Sequence, residues 1–181
     1  MQKLPNILTI ARIFFSFLLL IFMLYGFAIL QFLNPQIHFS WVNYFSCLIF
    51  CLASATDFFD GFIARNFGAK SAFGEIFDPL ADKLLMLGAL LGLLVLGRAD
   101  IWAVFLILSR EFFITGLRVV AASRGISVAA NNLGKYKTGL QITAIAFLLM
   151  DYSFAPFVLW LAVALTLYSG LDYVRSYIKS R

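Results

Sequence analysis

Charge is what this chain has least of. Only 13% of its 181 residues are Asp, Glu, Lys or Arg, about half the share usual in a water-soluble domain. Hydrophobic residues make up 62% of it, 21 of them Phe, which excludes an ordinary soluble fold. Histidine is nearly absent: His38 stands in a polar break with no carboxylate beside it in sequence, and no catalytic role is expected of it. Two cysteines, Cys47 and Cys51, lie four apart in an apolar run. That interval within a helix disfavours a disulfide, and two thiols without further Cys or His make no zinc site. They read as small hydrophobes facing core or lipid. Internal repeats and low-complexity tracts are lacking too, so residues 1–181 are expected to form a single membrane domain.

What is there is a succession of long apolar runs. The run from Ile13 to Leu30 is long enough to span a bilayer and exceeds the apolar core of a cleaved signal peptide. Leu4-Pro5-Asn6 ahead of it reads as a short interfacial helix. Gln31 to Ser40, with Asn34-Pro35, ends the first span. Further spans are expected from Trp41 to Arg65, from Asp78 to Leu96, from Ile101 to Ala122, from Leu133 to Met150 and from Phe154 to Tyr173. Pro79 suits a first helical turn, so the third span is placed to start at Asp78-Pro79. The fold class expected is all-α, a polytopic membrane protein with six transmembrane helices. Six spans leave both termini on one side, and nearly all basic residues fall there while Arg98 falls opposite. That asymmetry places the termini in the cytoplasm. The basic rim would attract anionic membrane lipids and phosphorylated substrates; no nucleic-acid partner is expected.

Against this background the twenty-six residues from Asp57 to Asp82 stand out, because they place Asp57, Asp60, Asp78 and Asp82 in apolar surroundings. A carboxylate at the centre of a membrane helix costs about 2.5–3.5 kcal/mol, so four left uncompensated would cost roughly 10 kcal/mol. Something cationic is therefore expected among them. Intervals of three and four put each pair on one helical face. Oxygen-only donors without His or Cys favour hard divalent ions, Mg2+ or Mn2+. A proton relay or ion pathway is the bland alternative for intramembrane acids.

Asp57-x-x-Asp60-Gly61-x-x-Ala64-Arg65, eight residues, then Gly74-x-x-x-Asp78-x-x-x-Asp82 resembles the signature of the CDP-alcohol phosphotransferases, with all eight fixed positions at the expected intervals. The resemblance implies transfer of a phosphatidyl or related group from a CDP-linked lipid to an alcohol, with release of CMP. It implies a pair of divalent ions held by Asp57, Asp60 and Asp78, with Asp82 as general base that also touches a metal. It sets the cytidine and its phosphates against Gly61, Ala64 and Gly74, whose alternative role is close helix packing. Arg65 would meet the donor phosphates, Ser71 would add a hydroxyl, and Asn6 and Thr9 would approach the nucleotide. A homodimer is the family habit.

For the acceptor, Arg110 falls about 13 Å of helix rise into the fourth span, where a cation needs a partner or a water-filled cavity. Glu111, next to it, points about 100° away and reads as a poor partner. Arg118 comes two turns later, and Lys135 and Lys137 follow in the next span. These four make a basic lining suited to a phosphate monoester, or else are snorkelling cations. The stretches L-P-N-I-L-T-I-A-R, F-D-P-L-A-D-K, R-E-F-F-I-T-G-L-R and N-L-G-K-Y-K-T resemble family members of the bacterial inner membrane. In those, CDP-diacylglycerol is the donor and sn-glycerol 3-phosphate the acceptor. Another acceptor on the same scaffold, such as inositol phosphate, serine or phosphatidylglycerol, and a cation transporter remain the alternatives.

Overall fold

Apolar runs separated by short polar breaks become helices throughout. The computed structural model describes the backbone of residues 3–67, 72–125 and 133–179, and side chains at 9–56, 80–81, 83–125 and 133–179. Among the described residues there are six helices and no strand: α1 (Lys3–Leu33), α2 (Ser40–Phe67), α3 (Ala72–Val95), α4 (Ile101–Ser123), α5 (Leu133–Leu149) and α6 (Ala155–Lys179). Three expectations are corrected. Leu4-Pro5-Asn6 forms no separate interfacial helix but lies in the opening turns of α1. Pro5 is tolerated there because the first amides of a helix have no intrahelical acceptor. Helix α3 begins six residues before Asp78, so Pro79 is not in its first turn. The apolar periodicity of Ala72, Phe73, Ile76, Phe77 and Leu80 carries the helix through a position where proline withholds one amide. Finally, α6 runs six residues past Tyr173. Tyr177 is buried on the same stripe, and Lys179 in the last turn complements the helix dipole.

The breaks are chemically specified. After α1 the Asn34 side-chain oxygen accepts from the Gln36 amide at 3.1 Å, and the Ser40 amide and hydroxyl both contact His38 Nδ1, at 3.3 and 2.8 Å. His38 thus serves the entry to α2. Between α3 and α4, Gly97 adopts a φ of +69°, and Asp100 caps α4 by accepting from the amides of Trp102 and Ala103 at 2.9 and 3.0 Å. Cys47 and Cys51 form no disulfide with each other; their sulfurs lie 3.9 Å apart.

The chain divides into two compact units. The first comprises Met1–Gly97 with Leu149–Asp151, and in it α1 packs on both α2 and α3, which also touch each other. Thr9, Arg12, Ser16, Leu19, Met23 and Gly26 form the buried stripe of α1, alternating intervals of three and four. Small residues on α3 allow the approach. A Cβ on Gly88 would stand 3.4 Å from the Ser16 carbonyl, and one on Gly92 would stand 2.7 Å from the Met23 sulfur. Arg98–Leu148 and Tyr152–Arg181 form the second unit, where α4 packs on α6; Ala103, Ile107 and Ile114 are buried on α4, and Leu159, Ala162 and Val163 on α6. In α5 the buried stripe is Lys137, Gln141, Ala144, Ile145 and Leu148, with Gln141 Nε2 donating to the Thr166 hydroxyl at 2.8 Å.

Away from these stripes the helices expose large apolar side chains, among them Phe14, Phe17 and Ile21 of α1, Phe105, Phe112 and Phe113 of α4, and Phe157 and Leu161 of α6. Such apolar surface is lipid-facing in kind, since water-exposed surfaces rarely carry it. Among the described residues two segments, Thr9–Leu33 and Ala155–Lys179, are long and apolar enough to cross a membrane.

Candidate functional site

Two groups of polar residues interrupt the apolar stripes, one in each unit. In the first unit, Asp57, Asp60, Gly61, Ala64 and Arg65 fall on α2, and Gly74, Asp78 and Asp82 fall on α3. The backbone therefore puts both acidic pairs on two helices that pack together, each pair within about one helical turn. Their side chains, and that of Asn6, lie outside the described residues, as does Ser71 altogether. Among the described residues no three His, Cys, Asp or Glu side chains gather into a metal cluster. The donor set on α2 and α3 is chemically matched to a hard divalent ion, with carboxylates and no imidazole or thiol between Leu52 and Asp82.

Thr9 is fully buried on α1, and so is Arg12 one turn further along the same face. In the sequence Arg12 is one of the many basic residues that fall on one side of the membrane. An arginine with 0% exposure in an apolar unit is a different object, because a guanidinium is kept out of water only in anionic or strongly polar company. Its interval of three from Thr9, continuing to Ser16 and Leu19, was the available signal.

In the second unit the structure brings Arg110 and Lys137 together through a residue that the helical wheel had dismissed. Glu111 Oε1 accepts from Arg110 Nη1 at 3.2 Å and also from Lys137 Nζ. The expectation that Glu111 is a poor partner for Arg110 is thus corrected. The two Cα–Cβ directions do diverge, but both side chains are long enough for their ends to meet, with Glu111 also reaching Lys137 of α5 and Arg110 lying against Ser169 and Gly170 of α6. Arg110 Nη2 also donates to Ser169 Oγ at 3.1 Å, while its Nε, buried against Gly170, has no hydrogen-bond partner among the described residues. Arg118, two turns along α4, acts electrostatically on Arg110 and lies with its guanidinium 5.3 Å from the centroid of the Tyr173 ring. Lys135 is exposed. Two residues from Lys137, it is turned about 200° around α5 and is not gathered with it. Two cations, Arg110 and Lys137, thus share the Glu111 carboxylate, and a third, Arg118, lies two turns along the same helix. Ser169, Gly170 and Tyr173 were missed in the sequence because they look like ordinary residues of an apolar span.

The CDP-alcohol phosphatidyltransferase family model matches residues 2–168. Among curated proteins, the chain is 40% identical to the CDP-diacylglycerol–glycerol-3-phosphate 3-phosphatidyltransferase of Bacillus subtilis, over 96% of this chain and 94% of that one. It is 38% identical to the protein of the same name from Rickettsia typhi, over 97% of each. A probable phosphatidylglycerophosphate synthase of Mycobacterium tuberculosis is 38% identical, over 95% of this chain and 80% of its own length.

Proposed function

Because the chain belongs to the CDP-alcohol phosphatidyltransferase family, we propose that it transfers the phosphatidyl group of CDP-diacylglycerol to sn-glycerol 3-phosphate, giving phosphatidylglycerol phosphate and CMP. The observation that carries this reading is the eight-position acidic motif, which falls on two helices of one compact unit. Its acceptor half is supported by relatives named for glycerol 3-phosphate and by the excess of cations around Glu111.

Members of the family generally use divalent metal ions. Asp57, Asp60, Asp78 and Asp82 would hold two, Mg2+ or Mn2+, which when bound supply placement and charge neutralisation for the diphosphate. Asp82 takes the proton from the primary hydroxyl of the acceptor, and that oxygen attacks the β-phosphorus of the donor in line. The bond from that phosphorus to the CMP oxygen breaks, and CMP leaves with the electron pair. Arg65 meets the donor phosphates, and Gly61, Ala64 and Gly74 leave room for the nucleotide. Asn6, Ser71 and Thr9 add polar contacts, and Arg12, on the same face as Thr9, joins that set. Arg110, Arg118 and Lys137 hold the phosphate of the acceptor, and Lys135 adds to the field at the rim.

We read residues 1–181 as one membrane domain with its six helices as six spans, both termini and the site toward the cytoplasm of a bacterial inner membrane, assembled as a homodimer. The exposed aromatic and aliphatic side chains of α1, α4 and α6 support the membrane placement. At 17 residues α5 is about 25 Å long, somewhat under the hydrocarbon thickness, which neighbouring helices and flanking polar residues accommodate.

The test is an acceptor panel on the purified protein in mixed micelles with CDP-diacylglycerol. CMP release is expected with glycerol 3-phosphate and not with inositol phosphate, serine or phosphatidylglycerol. Release supported by one of those and not by glycerol 3-phosphate would overturn the acceptor assignment. Cation flux without CMP release would overturn the enzyme itself.

A further inference from the structure

No residue of α6 enters the reaction described above, yet α6 makes the contacts that orient both arginines of α4. Ser169 Oγ, itself buried, accepts from Arg110 Nη2 at 3.1 Å. The Arg110 side chain runs across Gly170 so closely that a Cβ there would stand 3.0 Å from Nε and 3.2 Å from Cγ. Glycine in the middle of a helix is unfavourable relative to alanine, and here the space it leaves is filled by the arginine. One turn on, the Tyr173 ring lies 5.3 Å from the Arg118 guanidinium. Positions 169, 170 and 173 lie on one face of α6, and α6 packs on α4. Arg118 is exposed, and an arginine there has many rotamers open to it, so a ring beneath its guanidinium selects among them.

We infer that this face of α6 is the positioning wall of the acceptor-phosphate site: Ser169 and Gly170 set the guanidinium of Arg110, Tyr173 sets that of Arg118, and their fixed separation gives the site its preference for a compact phosphate monoester. The inference rests on the reading that Arg110 and Arg118 bind the acceptor phosphate. None of the three α6 residues is a catalytic residue, since each acts through an arginine.

The test compares KM for glycerol 3-phosphate, KM for CDP-diacylglycerol and kcat in full-length enzyme. Gly170→Ala is expected to raise the acceptor KM by about tenfold or more, as misplacement of a binding group does, while the donor KM changes less than about twofold. Tyr173→Leu is expected to raise the acceptor KM and Tyr173→Phe to restore it, because phenylalanine keeps the ring face. In an Arg110→Ala background Gly170→Ala should add nothing further, and Tyr173→Leu should add nothing to Arg118→Ala, since each acts only through its arginine. Equal changes in both KM values, full additivity on the arginine variants, or failure of Tyr173→Phe to restore the acceptor KM would overturn the positioning wall. If Gly170→Ala does not fold, Ser169→Ala and the two Tyr173 variants decide the matter by the same criteria. Acceptor KM values unmoved by Arg110→Ala and Arg118→Ala would overturn the acceptor-phosphate reading itself, and the wall with it. Moved arginine variants with unmoved α6 variants would overturn the wall alone.

Discussion

Replacing Glu111 by glutamine tests whether the shared carboxylate holds the basic cluster together. Glu111 Oε1 accepts from both Arg110 and Lys137. The side chains are well shielded, with relative exposures of 19% for Glu111, 10% for Arg110 and 9% for Lys137. Solvent screening therefore removes little of the interaction. A hydrogen bond to a charged partner contributes about 1.5–3 kcal/mol and a neutral one about 0.5–1.5 kcal/mol. Glutamine keeps an acceptor oxygen but loses the charge, so each of the two bonds weakens by roughly 1–1.5 kcal/mol. The sum is about 2–3 kcal/mol, below the roughly 3–5 kcal/mol expected when one partner of a buried pair is removed outright, as in Glu111→Ala. At about 2–4 °C per kcal/mol for a chain of this size, Glu111→Gln should melt about 4–12 °C lower. The assay is thermal unfolding of the purified protein in detergent, with and without saturating glycerol 3-phosphate. A dianionic ligand replaces part of the missing charge, so the ligand-induced rise in Tm should be larger in the variant than in the parent. A Tm within about 1 °C of the parent, or a ligand-induced rise no larger than the parent's, would refute the reasoning.

Asp82→Asn should lower kcat by about 10²-fold or more while CDP-diacylglycerol binding stays measurable, because a general base is lost with only part of a metal shell. Retained turnover would defeat the base assignment. Dialysis against EDTA should abolish CMP release, and Mg2+ or Mn2+ should restore it where Ca2+, larger and less demanding of octahedral geometry, restores less; chelator-resistant turnover would count against the carboxylate reading. Asp100→Ala removes the acceptor of two N-terminal amides of α4 and should cost about 1 kcal/mol of stability without changing either KM, read by thermal unfolding and steady-state kinetics together. An unchanged Tm would mean that water satisfies those amides equally well.

Much of the fold was legible before any coordinates because its signals are local. Long apolar runs, Asn34-Pro35, and Gly97 followed by Asp100 mark helices and breaks through backbone chemistry that does not depend on distant residues, and α2, α4 and α5 begin and end within two residues of expectation. Errors arose where one local rule was weighed alone. Pro79 suits a helix start, yet the apolar period continues upstream of it and carries α3 back to Ala72; Tyr173 closes the apolar run, yet Tyr177 continues the buried stripe of α6.

The acidic motif belongs to the sequence in the same sense. Carboxylates at intervals of three and four share a helical face wherever that helix lies, and their number in an apolar chain already calls for a cation. What surrounds the arginines was another matter. A helical wheel places Cβ atoms but not the ends of long side chains, so only tertiary packing could show Glu111 drawn to both Arg110 and Lys137. The same holds for burial of Arg12 and for the passage of Arg110 over Gly170. Contacts between residues 59 positions apart, as Arg110 and Ser169 are, leave no periodic trace in one sequence. They exist because helices far apart in the chain are pressed together, and that is decided only when the chain folds.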